Sequence, residues 1–296
     1  MTSTSTLTRW RVPLAAVAAA LVAVFALGFT PQGQSVASAF VAQFRSEKLQ
    51  PITMTQSQSQ NFDKTFEQLD HLGSVQAPNT HPQSKTVSSL AEASQAVGFT
   101  VKQPSVLPSG VSATPESIHV IPGFEARFTF DKAKAQAYYQ AQGTTAVNLP
   151  DKFDGASLVV GIPSAALIEY PSTAPAAGDT SSVGLVVGQA NDLTAGVEGN
   201  VSLDEMRDFL LSLPGLDADT VAQLKAIQDW RTTLPIPIPV DNVLWQQTTV
   251  AGGPGLLLND NSGLGSAAIW RRDGHIYGVA GTIKANEITK VADGLK

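Results

Sequence analysis

Apolar positions along the chain fall into three regimes. Residues 12–29 (VPLAAVAAALVAVFALGF) run from Val12 to Phe29 without a charge. At 1.5 Å per residue such a helix is roughly 27 Å long, about the thickness of a bilayer's hydrocarbon core. Beyond it the pattern breaks into short segments. Helical spacing is read at 34–44 (Val36, Phe40, Val41, Phe44), 61–72 (Phe62, Phe66, Leu69), 90–97 and 132–142. Ser89-Leu90-Ala91-Glu92 reads as a capping box closed by Gly98, and Asp131 caps the helix that ends at Gly143. A second box, Ser202-Leu203-Asp204-Glu205, opens a helix with Leu203, Met206, Phe209, Leu210 and Leu213 on one face. Pro214-Gly215 breaks it, and Asp217 or Asp219 starts a partner helix with Val221, Leu224 and Ile227, so the two form a helical hairpin.

Strand patterns cover 48–55, 99–102, 117–121, 126–130, 158–162, 166–170 and 183–190. Residues 234–240 (LPIPIPV) carry Pro235, Pro237 and Pro239 at alternate positions, which strips donors from one side and marks an edge strand or a polyproline-like segment. Residues 244–250, 255–258, 266–270 and 275–280 read as a meander, turned at 259–263 (NDNSG) and at Asp273-Gly274. A last helix carries Ile283, Ile288, Val291 and Leu295. The class is α+β: an antiparallel sheet with packed helices, preceded by one N-terminal transmembrane helix.

Arg9 and Arg11 precede the apolar run, and no charge occurs in 30–44. The positive-inside rule places the N-terminus in the cytoplasm and the C-terminal domain outside it, in a single-pass membrane protein. Ala37-Ser38-Ala39 also offers a signal-peptide cleavage site, so secretion after Ala39 is the alternative. The expected organisation is a cytoplasmic tail at 1–11, the anchor or signal peptide at 12–30, and a juxtamembrane helix/strand/helix region with linker at 31–85. An extracytoplasmic α+β domain follows at 86–296, with the helical hairpin inserted at 201–230.

Composition narrows the chemistry. Of the 296 residues, 43% are hydrophobic and only 15% charged, below the usual share of about 25%. A net charge of −6 with no basic stripe argues against nucleic acid as a partner. Cysteine is absent, which excludes disulfides, thiolate metal sites and cysteine nucleophiles. His71, His81, His119 and His275 are not at ligand spacing, and no Gly-x-Ser-x-Gly elbow or phosphate loop is present. Asp204, Glu205 and Asp208 sit in the first turns of a helix, where acids favour its dipole. The 259–263 segment has a faint calcium-loop look but lacks the distal glutamate, and a hairpin turn is the simpler account. The residues therefore point to no catalytic centre, cofactor or metal.

Trp230, Trp245, Trp270 and Tyr277 gather near the meander and either fill the core or line a contact site. Trp270, Arg271, Arg272 and Tyr277, around a hairpin tip, are the expected partner surface.

One resemblance is carried by a helix ending in Gly98, then Phe99-Thr100-Val101, then 104–110 (PSVLPSG), and finally by 271–281 (RRDGHIYGVAG) before the last helix. This order resembles the DUF4367 type of extracytoplasmic domain, attached to bacterial anti-sigma factors or MucB/RseB-like envelope regulators. The likeness spans about 89–296. It implies a non-enzymatic sensor or binding module of the envelope, held to the lipid bilayer by residues 12–29, with an envelope protein as partner. The chain lacks the cysteine-bearing cytoplasmic domain of an anti-sigma factor, so the resemblance supplies no transcriptional arm and no catalytic residue. Two alternatives stand beside it: an exported, hydrolase-like enzyme whose site is dispersed in sequence, and a structural subunit with an exposed apolar patch along the proline-rich strand.

Overall fold

The computed structural model describes residues 43–59, 68–77, 83–144, 147–173, 183–241, 243–261, 263 and 265–296. The apolar run at 12–29, the Ala37–Ala39 motif, His81 and the start of the helix expected at 61–72 lie outside them. No described helix is long and apolar enough to cross a membrane.

The architecture is mixed α+β, with largely antiparallel sheets. The strands are β1 (Phe44–Arg45), β2 (Lys48–Met54), β3 (Gly73–Gln76), β4 (Lys85–Val87), β5 (Ser117–Ile121), β6 (Phe124–Phe130), β7 (Ser157–Ile162) and β8 (Ala165–Pro171). They continue with β9 (Val183–Asn191), β10 (Thr194–Glu198), β11 (Thr233–Pro239), β12 (Val243–Val250), β13 (Gly253–Asp260), β14 (Ser266–Arg272) and β15 (His275–Gly281). The helices are α1 (Leu69–Leu72), α2 (Leu90–Val97), α3 (Lys132–Ala141), α4 (Leu203–Ser212), α5 (Ala218–Lys225) and α6 (Ala285–Asp293).

Three sheets form: β1-β10-β7-β6-β3, the pair β11-β2, and an eight-stranded sheet β12-β13-β14-β15-β9-β8-β5-β4. The pair is parallel, with Thr233 opposite Lys48 and Pro239 opposite Met54, and it departs from the antiparallel expectation. The region expected to lead into the domain is part of it instead. β1 pairs with β10, β2 with β11 and β3 with β6, and Phe44 lies in a strand where a helix was expected. β10 is not legible in the sequence, because its glycine and its adjacent buried pair, Gly196 and Val197, break the alternation.

The central strands β14 and β15 of the eight-stranded sheet are buried on both faces. On β14, Ala268 and Trp270 face α2 and α6, while Ala267 and Ile269 face the five-stranded sheet and β11. That explains the unbroken apolar runs of β14 and β15, which have no polar face to alternate with. α4 packs Phe209 edge-on to Phe130 at 4.8 Å and stacked on Phe153 at 4.1 Å. α5 supplies Leu224 to a smaller cluster with Ile52, Met54 and Ile227. The N-caps are made at Ser89, which accepts from Glu92, and at Asp131, which accepts from Lys134, and Ser202 with Glu205 closes a reciprocal box. The box expected at Ser89 is only half formed, because the Glu92 carboxylate accepts from Ser88 instead. Asp217 caps α5 by accepting from Asp219 and Thr220.

The strand expected at 99–102 is irregular backbone. The fully buried Gln189 amide accepts from Lys102 N–H at 2.9 Å and donates to Lys102 C=O at 2.6 Å. A side chain thus does there what a neighbouring strand would do.

Candidate binding surface

The four residues expected as a partner surface do not lie together outside. Trp270 and Tyr277 are cross-strand partners in the centre of the eight-stranded sheet, their rings stacked at 5.4 Å. They are 0% and 2% exposed. Lys102 Nζ and the Arg272 guanidinium each lie 5.7 Å from the Tyr277 ring, and burial pushes its hydroxyl pKa up. Arg271 turns to the opposite face and grips Asp192 through Nε–Oδ1 at 3.0 Å and Nη2–Oδ2 at 2.7 Å. That pairing holds Arg271 above its usual pKa. Arg272 donates from Nη1 to Ala251 C=O at 2.9 Å. At the hairpin tip only Asp273 is exposed. The reason is positional: this hairpin is covered on both faces, so its aromatics fill the core.

The three described histidines lie apart from one another. His71 stacks on Tyr138 at 4.8 Å. His119 lies 3.2 Å from Thr86 Oγ1 and 3.7 Å from Glu169. His275 tilts against Phe99 at 4.6 Å, and burial lowers its pKa. Glu205 is pulled down to about 2, first by its bond from Lys152 and then by the Ser202 backbone. Asp204 is bound by Arg231 and Arg207. Among the described residues no three His, Asp or Glu side chains are grouped to hold a metal. Within the 259–263 segment Asn259 and Asp260 end β13, and Asp260 accepts from Gly265 N–H at 3.1 Å through Oδ2 and donates its own N–H to Gly265 C=O at 3.0 Å. An open cleft of about 300 Å³ lies between β2 and α5, lined by Lys48, Gln50, Gln223 and Asp229, with Lys48 and Asp229 ion-paired across it.

The sheet edges separate the molecule's surfaces more sharply. An unpaired strand edge invites another strand, and folded proteins blunt such edges with short strands, charges, proline or covering groups. β1, β3 and β4 have two, four and three residues. β11 pairs through its even positions, since Val240 N–H continues the ladder to Met54 C=O at 3.0 Å. Its three prolines therefore face outward and offer no donor. β2 is closed by Gln223, whose side chain accepts from Thr53 N–H at 2.9 Å and donates to Thr53 C=O at 2.9 Å. Pro51 and Gln247 cover the rest of that edge, Gln247 donating to Leu49 C=O at 3.5 Å.

β12 has none of these devices. It is eight residues long, without charge or proline, and among the described residues it pairs only with β13. Leu244 is 65% exposed and Trp245 38%. Val240 adjoins them, so three of the four large hydrophobics exposed among the described residues fall within 240–245. The exposed apolar patch thus begins where the proline-rich strand ends, because Leu234, Ile236 and Ile238 of β11 point into the core. Sequence reasoning missed β12 as a surface, although Leu-Trp-Gln-Gln-Thr-Thr shows no alternation of the half-buried kind.

No family model, curated protein or solved structure matches this chain.

Proposed function

We propose that this protein is a non-enzymatic, membrane-anchored binding module of a bacterial envelope, docking a protein strand on the β12 edge. The observation that carries the reading is that open edge, with Leu244 and Trp245 exposed on a strand that makes no pairing beyond β13 among the described residues. Strand addition draws affinity from main-chain hydrogen bonds and selectivity from the flanking side chains. The charge pattern around residues 12–29 supports an extracytoplasmic domain, and the DUF4367 resemblance supports a regulatory role.

The test uses the full chain in its native membrane, with Leu244→p-benzoylphenylalanine as a photo-crosslinker. The expected result is an adduct to a protein chain from position 244 and none from the same probe at Asp273. Equal labelling at both positions, or none at 244, removes the reading. N-terminal sequencing of the mature chain decides between the anchor and a form starting at Phe40.

A further inference from the structure

We propose that the strand docked on β12 is β12 of a second copy, so that two eight-stranded sheets join edge to edge across a twofold axis at Gln246. This deepens the proposed function and rests on it.

The register follows from the β12–β13 turn. Val250 pairs with Gly253 across Ala251-Gly252, whose φ angles of 49° and 80° make a two-residue turn of the kind with both central residues left-handed. In such a hairpin the residues flanking the turn are a hydrogen-bonded pair, and bonded pairs then alternate along the ladder. Val250, Thr248, Gln246 and Leu244 therefore direct their amides and carbonyls at β13. Val243, Trp245, Gln247 and Thr249 direct theirs outward. Their backbone groups bond to no other described element.

What satisfies a row of alternating outward donors and acceptors is an extended strand. A twofold axis perpendicular to the sheet requires opposed residues to share a face, so the axis passes through a residue. Placed at Gln246, it opposes Trp245 to Gln247 and Val243 to Thr249. All four outward-facing residues of each copy are then used, for about eight hydrogen bonds across the seam. Shifting the axis to Gln247 leaves Val243 opposite the turn residue Ala251 and forfeits part of the ladder.

The side chains fit a self-pairing strand. Residues 243–250 (VLWQQTTV) hold no charge, so no like charges meet. Gln246 faces its own copy, where each amide both donates and accepts. Leu244 lies beside Thr248 and Trp245 beside Gln247, which covers the two exposed apolar side chains with the partner's aliphatic atoms. The turn that fixes the register is itself pinned, because Ala251 donates to Asp293 at 3.1 Å and accepts from Arg272.

The chain has no cysteine, so one introduced thiol reports on its own twin. Opposed residues of a non-hydrogen-bonded antiparallel pair have Cα atoms about 4.5 Å apart, within disulfide reach. The full chain carrying Gln246→Cys, mildly oxidised in its native membrane, is expected to run as a disulfide-linked dimer, while Asp273→Cys stays monomeric. Gln246→Lys sets two ammonium groups across the axis and is expected to weaken dimerisation about fivefold or more in sedimentation of the detergent-solubilised chain. Because position 246 is exposed, its urea midpoint at dilutions below dimerisation should match that of the unaltered chain. A chain that sediments as a monomer and gives no Gln246→Cys dimer overturns self-pairing. If that monomer still forms a Leu244 photo-adduct with a different protein, the binding reading survives. If it forms none, both fall.

Discussion

β11 and β12 are neighbours in the chain and edges in space, and they solve opposite problems. β11 points Leu234, Ile236 and Ile238 into the core and presents prolines outward. β12 holds itself to β13 and leaves its outer backbone edge and the side chains of Leu244 and Trp245 toward solvent, while Val250 anchors its end in the core. A strand that serves only stability is sealed at its free edge, whereas β12 leaves the outward backbone groups of Val243, Trp245, Gln247 and Thr249 without a partner among the described residues. The difference marks where the fold has been kept available for pairing.

The comparison breaks most visibly by truncation. Ile236→Ala on β11 should cost about 2–5 kcal/mol of folding stability, because a fully buried side chain leaves a cavity. Leu244→Ala on β12 should change monomer stability by less than about 0.5 kcal/mol. Urea titrations of both, well below the dimerisation concentration, measure the contrast. Next comes Gln223→Ala, which strips the amide from Thr53 and leaves a donor and an acceptor of β2 unmet. A loss of about 1–3 kcal/mol is expected in the same assay.

Pro237→Val addresses the sealed edge directly. It restores one outward N–H on β11 and adds freedom to the unfolded chain, so stability should fall by only about 0.4–1 kcal/mol. Association should change more than stability, with species beyond the dimer appearing in light scattering. If the Pro237→Val chain stays dimeric, proline is not what closes that edge.

The smallest effect concerns pH. Glu205 is held at about 2 in the folded chain, below the ordinary glutamate value near 4.3. Its contribution is thus fully present above that ordinary value and is lost as pH falls from about 5 towards 2. Glu205→Gln should flatten the stability profile slightly over that window. β12 carries no titratable side chain, so its pairing should stay level from about pH 5 to 8. A dimer that dissociates within that range points to a charged seam elsewhere.

What could be read from the sequence divides along physical lines. Local chemistry was legible: the caps at Ser89, Asp131, Ser202 and Asp217 and the Asp273-Gly274 turn are made by residues within four positions of each other. The alternate prolines of 234–240 announced an edge correctly, because a missing N–H is a property of the residue itself. Long-range pairing was not legible. Nothing in Lys48–Met54 says that its partner is Thr233–Pro239, in parallel. Nor do glutamines 189 and 223 say that their amides stand in for strands, since the same residue serves equally well on a solvated surface. Trp270 and Tyr277 are large and amphipathic, and only the covering of both sheet faces decides that they belong inside.

The pairing of β2 with β11 also has a consequence in time. β2 leaves the ribosome or the export channel early, yet neither of its flanks is satisfied until residues 223 and 233–239 follow. Contacts separated by so much chain close slowly. Through that interval an apolar stretch with bare backbone travels unescorted, exposed to other nascent chains and to proteases. The folded molecule buries Leu49, Ile52 and Met54 of this strand, and until residues 223–239 arrive Ile52 and Met54 lack Leu224 and Ile227, the buried side chains they pack against.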